Sequence, residues 1–236
     1  MKNSVSCPNC NSENPFYNSI CSGCKYYLRD RIINLDLWTV ISLLIESPTK
    51  ALRTIIFSEH KNFIVFILFF VSIKYLINAR FISVVSVGEF QSTIGLQLSY
   101  LIVLGITLIY FIIFSYVHKS LSKKNEVYIR FKDTFALIIY SQMPFLFGLF
   151  ILFPLELVIL GDYLFSMNPT PFIIKGSIAY FFISIEIGLV IWNIFLVFKA
   201  FLTQSHQTCF GKASATVFVV LFWALIYFCS LIVFTI

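Results

Sequence analysis

From residue 63 onward the chain alternates long apolar runs with short polar connections, the runs covering about 63–82, 96–117, 134–160, 172–201 and 213–236. Each reaches the roughly 20 residues that a helix rising about 1.5 Å per residue needs to cross a hydrocarbon core of about 30 Å. The pattern predicts five transmembrane helices. The third and fourth runs are longer than required. Pro144 and Pro154 predict kinks in the third, and tilt or protruding ends absorb the excess of the fourth. Ahead of the runs, Leu37, Trp38, Ile41, Leu44 and Ile45 recur at helical spacing. Ser47-Pro48 then reads as a second helix start, serine as cap and proline at the first helical position. On that helix Ala51, Leu52, Ile55 and Ile56 share a face, while Lys50, Arg53 and Thr54 point elsewhere. It can lie among lipid headgroups, or pack on the spanning helices.

Composition agrees with burial in lipid. The 236 residues are 59% hydrophobic and 18% aromatic, with 28 phenylalanines and only 12% charged, against about a quarter charged in soluble domains. The net charge of +6 gathers at the ends of the apolar runs. It therefore reads as a topological signal and not as a nucleic-acid footprint. The segment before the first run carries Lys2, Lys25, Arg29, Arg31, Lys50, Arg53 and Lys61. The second connection carries Lys119, Lys123, Lys124, Arg130 and Lys132, and the fourth Lys199 and Lys212. The first has only Arg80 and the third only Lys175. Heavy and light connections alternate, which places the amino terminus in the cytoplasm and Ile236 outside. Residues 1–30 are too polar for a secretory signal, so the first run serves as the insertion signal.

The candidate chemistry begins with Cys7-Pro8-Asn9-Cys10 and Cys21-Ser22-Gly23-Cys24. Two such pairs can bring four thiolates to a tetrahedral zinc in a closed, structural site. In the reducing cytosol that spacing favours metal over disulfides. The stretch Cys7 to Leu28 resembles the short zinc ribbons at bacterial protein termini. Those often have glycine after each pair, where the backbone turns left-handed. Asn11 and Lys25 stand there, and lysine tolerates that conformation less well than asparagine. Cys209 and Cys229 read as small apolar residues.

The body resembles the Yip family of membrane proteins, named for interaction with Ypt/Rab GTPases. The resemblance rests on Pro48-Thr-Lys-Ala-Leu-Arg-Thr-Ile55, on Phe131-Lys-Asp-Thr-Phe-Ala-Leu-Ile-Ile-Tyr-Ser-Gln-Met-Pro144, on Trp192 through Lys199-Ala200, and on His206 with Gly211-Lys-Ala213. It implies an all-α membrane protein in which a zinc ribbon (1–30) and amphipathic linker helices (31–61) precede a five-span domain (62–236). The zinc-ribbon fusion looks closer to prokaryotic members, implying a bacterial cytoplasmic membrane, and GTPase binding is carried over to no residue.

Lys74, Glu156 and Glu186 fall at or near membrane depth, where an unpaired charge is costly and functional by default. Counted from the cytoplasmic ends, Lys74 lies roughly 18 Å deep and Glu186 roughly 22 Å, so the two can pair, while Gln142 and Asn193 both lie roughly 12 Å deep. Such pairs serve as glue between helices or as part of a solute path. Glu156 is expected near the outer edge. His60, His118 and His206 fall at cytoplasmic edges, without further ligands at metal spacing. No catalytic constellation occurs. The expectation is a non-enzymatic protein in the bilayer whose zinc head recruits a cytoplasmic protein partner, with homo-oligomer formation open. A small transporter or channel using Lys74 and Glu186 is the alternative.

Overall fold

The computed structural model describes residues 3–87, 95–166, 168–206 and 208–235; Lys2 and Ile236, which enter the charge count and the topology, lie outside them. Two short antiparallel strands, β1 (Ser4–Ser6) and β2 (Glu13–Pro15), pair with Val5 opposite Asn14. A run of helices follows: α1 (Leu37–Glu46), α2 (Pro48–Phe57), α3 (Ile64–Val87) and α4 (Leu96–Lys124). The third run comprises α5 (Phe131–Tyr140), α6 (Met143–Phe147) and α7 (Phe153–Leu160). Then come the single turn α8 (Pro171–Ile174), α9 (Gly176–Ser205) and α10 (Thr208–Thr235). Among the described residues five helical stretches are long and apolar enough to cross a membrane: Ile64–Val85, Leu96–Lys124, Phe131–Phe165, Gly176–Ser205 and Cys209–Phe234. The chain is thus an all-α, multi-pass membrane protein with a small two-stranded head. Its outward apolar side chains, Ile109, Phe181 and Val220 among them, are what a lipid-facing surface requires.

The helix boundaries follow from local chemistry. Asp36 caps α1, its carboxylate accepting from the Thr39 amide at 2.8 Å and hydroxyl at 2.6 Å. Ser47 ends α1 through its own amide, bonded to the Leu43 carbonyl, and occupies the cap position of α2 with Pro48 in the first turn. Its side chain makes no capping bond. The third span is broken at both prolines. A turn at Ser141-Gln142 precedes Pro144, and a π-helical turn over Gly148–Leu152 precedes Pro154. Proline lacks the amide that would continue the ladder, so the chain widens or turns just ahead of it.

Two compact units divide the chain. The first comprises Met1–Val65, Phe111–Ser141 and Leu196–Phe218. Within it the head, α1 and α2 accompany α5, the end of α4 and the junction of α9 and α10. The apolar face of α2, Ala51, Leu52, Ile55 and Ile56, is fully buried against α5, so α2 takes the packed option of the two open to it. α1 buries Val40 and Leu44, and leaves Trp38 77% exposed. At the α9–α10 junction a side chain on Gly211 would come within 2.6 Å of Ser205 Oγ and 3.1 Å of the Phe201 carbonyl. Glycine there permits the close approach.

The second unit comprises Phe66–Tyr110, Gln142–Phe195 and Val219–Ile236. Its core includes Leu152, Leu160, Leu164 and Phe182, with Phe81, Phe153 and Leu189 packed against them. Tyr75 is fully buried between the rings of Phe145 and Phe222, at 5.5 and 5.0 Å.

Candidate functional site

The head is two similar hairpin loops, each closed by a backbone bond from the residue after a cysteine pair to its first cysteine. The Asn11 amide donates to the Cys7 carbonyl at 2.9 Å, and the Lys25 amide to the Cys21 carbonyl at 3.2 Å. Both residues have positive φ, 55° and 63°. The left-handed turn is therefore made without glycine, by lysine as well as by asparagine. These turns aim the four Sγ atoms of Cys7, Cys10, Cys21 and Cys24 at a common point, all within 4.8 Å of one another. Cys7 Sγ lies 3.5 Å from Cys24 Sγ, and Cys10 Sγ 3.6 Å from Cys21 Sγ. Thiolates at about 2.3 Å from a tetrahedral ion stand roughly 3.8 Å apart, so the cluster could hold a metal ion.

Polar neighbours complete the cluster. Ser12 Oγ lies 3.0 Å from Cys10 Sγ and 3.1 Å from Cys21 Sγ. Its hydroxyl is the main cause that draws Cys21 down to about 5, and it lowers Cys10 as well, whereas burial pushes the Cys7 thiol up to about 11. Asn14 is fully buried between the two loops. Its Oδ1 accepts from the Ser22 amide at 2.8 Å, and its Nδ2 donates to the Ser12 carbonyl at 3.0 Å and to Cys21 Sγ at 3.4 Å. Ser12 and Asn14 escaped the sequence reading because cysteine spacing reveals ligands but not the groups that orient them.

Within the first unit the head is held by specific contacts. Asn3 Nδ2 donates to the Tyr128 carbonyl and Asn3 Oδ1 accepts from the Tyr128 amide, both at 2.9 Å. The Phe16 ring meets Phe57 at 5.0 Å and His206 edge-on at 4.2 Å. The Arg29 guanidinium lies 3.6 Å over the Phe57 ring and donates to the carbonyls of Phe16 and Asn18. Burial, with the Arg130 charge second, pulls Arg29 down to about 10.

The carboxy-terminal end of α2 is closed by a buried charge cluster. Lys61 Nζ donates to the Ile55, Ile56 and Ser58 carbonyls and lies 3.2 Å from the Asp133 carboxylate. Arg130 pairs with Asp133 at 2.6 Å and donates to the Ile56 carbonyl at 2.9 Å. Burial pulls Lys61 down to about 8, against the Asp133 charge. Sequence reading treated Lys61 and Arg130 only as topological charges.

In the second unit the structure brings together each of the intramembrane pairs. Lys74, fully buried, donates to Glu186, whose side chain is 18% exposed. The Lys74 side chain runs past Gly148, where an added Cβ would come within 3.1 Å of its Cε. Gln142 Oε1 accepts from Asn193 Nδ2 and also from the Tyr75 hydroxyl, each at 2.8 Å. Tyr75 was not singled out, since a tyrosine in an apolar run reads as packing.

Two further polar groups turn inward into the protein. Glu156 is buried, 3% exposed, with Oε2 lacking a hydrogen-bond partner. His118 is buried too, its ring among Phe114, Phe201 and Phe210 and its Nε2 without a partner. Helical rise fixes depth along the axis but not the direction a side chain faces. His60 and His206 are exposed. No protein-family model, no curated protein and no solved structure matches this chain.

Proposed function

We propose that the chain is a non-enzymatic, Yip-type protein of a bacterial cytoplasmic membrane whose head binds zinc on the cytoplasmic side and recruits a protein partner there. The observation that carries the reading is the closed four-sulfur cluster in a head fastened to the first unit by Asn3 and Arg29. An all-thiolate tetrahedral donor set with no open position suits zinc held for structure. A head fixed in place yet exposing Ile20, Tyr26 and Tyr27 offers a surface for a protein. The residues that carry the Yip resemblance take packed or turning positions here: Ala51 is buried in the α2 face, Pro144 follows the break in the third span, and Gly211 lies at the α9–α10 junction against Ser205 and Phe201.

Crosslinked membranes carrying the full chain test this reading by quantitative co-purification. A cytoplasmic protein enriched about fivefold over Cys21→Ser/Cys24→Ser supports it, and identical profiles contradict it. A second reading, a small transporter or channel, is favoured by the buried Lys74–Glu186 pair beside the π-helical turn. Solute-dependent ion flux in liposomes that disappears in Glu186→Gln would replace the first reading with the second.

A further inference from the structure

The second unit contains a cavity of about 580 Å³ lined by α3, α7, α8 and α9 and by Trp223 of α10. Its wall is largely apolar, with Phe81, Leu160, Phe182 and Ile191 among the lining side chains, and it carries two carboxylates, Glu156 and Glu186. Exposed Val85, Ile183 and Ile187 on the lining open it toward the lipid-facing surface. Lys74 engages Glu186, whereas Glu156 Oε2 is buried and without a partner, within electrostatic reach of both.

The charges decide what fits. With Glu156 ionised, two carboxylates and one ammonium sum to a single negative charge beside a largely apolar wall, and a buried charge demands a counter-charge. An anion is repelled. A hard metal cation requires six or more oxygen ligands, more than this apolar wall provides. The volume lies in the range that takes a drug-sized molecule, roughly 300–1,000 Å³. Trp223 and Phe182 add aromatic side chains to the lining, a residue type whose ring faces attract cations. We propose that this cavity binds a monovalent lipophilic cation, an organic ammonium or phosphonium with a bulky apolar body, whose charge is received by Glu156.

The site is independent of the metal head and of the partner proposed for it. The test is binding of radiolabelled tetraphenylphosphonium to the purified full chain in detergent. One saturable site is expected, displaced by dodecyltrimethylammonium and not by dodecanol. Affinity should fall at least tenfold in Glu156→Gln and be unchanged in Cys21→Ser/Cys24→Ser. Because Glu156 Oε2 bonds nothing, the glutamine variant should melt no lower than wild type. A second variant, Ala179→Phe, fills the cavity without altering a carboxylate and should also abolish binding. Absence of saturable binding, unchanged affinity in Glu156→Gln, or equal displacement by dodecanol would overturn the proposal, the last marking a slot for lipid tails.

Discussion

Lys74 and Glu186, 112 residues apart in sequence, form an ion pair that buries the lysine completely among the apolar side chains of the second unit. Removing one partner strands the other charge, which costs about 3 kcal/mol or more in a buried site. Replacing both with apolar residues removes the need for the pair. Lys74→Met and Glu186→Leu should each lower thermal stability in detergent, and the double variant should lose less than either single one. Strictly additive losses would mean that the two side chains do not depend on each other.

Lys61 predicts a pH dependence. Its folded value, about 8, lies below the ordinary lysine value of 10.5 because burial disfavours the ammonium. Between these values the unfolded chain binds more protons than the folded one, so this group's contribution to stability rises with pH from about 8 to 10.5. Below about 8 both states are protonated and the penalty is present in full. Wild type minus Lys61→Met, compared by thermal unfolding across pH 7–10.5, should show that rise. A flat difference would contradict the burial assigned to Lys61.

Asn14 should matter to the metal although it is no ligand. Asn14→Ala removes the bonds that tie the loop of Cys7 and Cys10 to that of Cys21 and Cys24. Outer groups of this kind are worth about 10-fold or more in metal affinity. Competition with a chelator on the full chain measures the loss, and an affinity equal to wild type would show that the loops hold themselves.

What could be read from the sequence follows from how local each signal is. Five spans were legible because apolar run length is set by the bilayer and needs no knowledge of packing. The cysteine cluster was legible from spacing, and the turns at Asn11 and Lys25 from the resemblance to zinc ribbons, whose glycines take the left-handed conformation at those places, although lysine tolerates it less well. The depths of Lys74 with Glu186, and of Gln142 with Asn193, were countable because helical rise is nearly constant. Facing direction was not. The break at Ser141-Gln142 and the π turn at Gly148–Leu152 lie upstream of Glu156, and they change the angular register that a continuous helix would give it. The Lys61–Asp133–Arg130 cluster joins segments about seventy residues apart, a closeness no local pattern encodes.

The proposed orientation has its own test. A reporter active only in the cytoplasm should work when fused after Lys124, and one active only outside should work after Lys175, because the strongly basic connections remain inside. The opposite result at both sites would invert the topology and remove the head from the cytoplasm.

Cys7, Cys10, Cys21 and Cys24 form the metal centre proposed for the head of this membrane protein. Elemental analysis of the purified full chain tests it most directly. About one zinc per chain is expected, lost in Cys21→Ser/Cys24→Ser. Metal content near zero in the wild-type protein, or content unchanged in that variant, would contradict it.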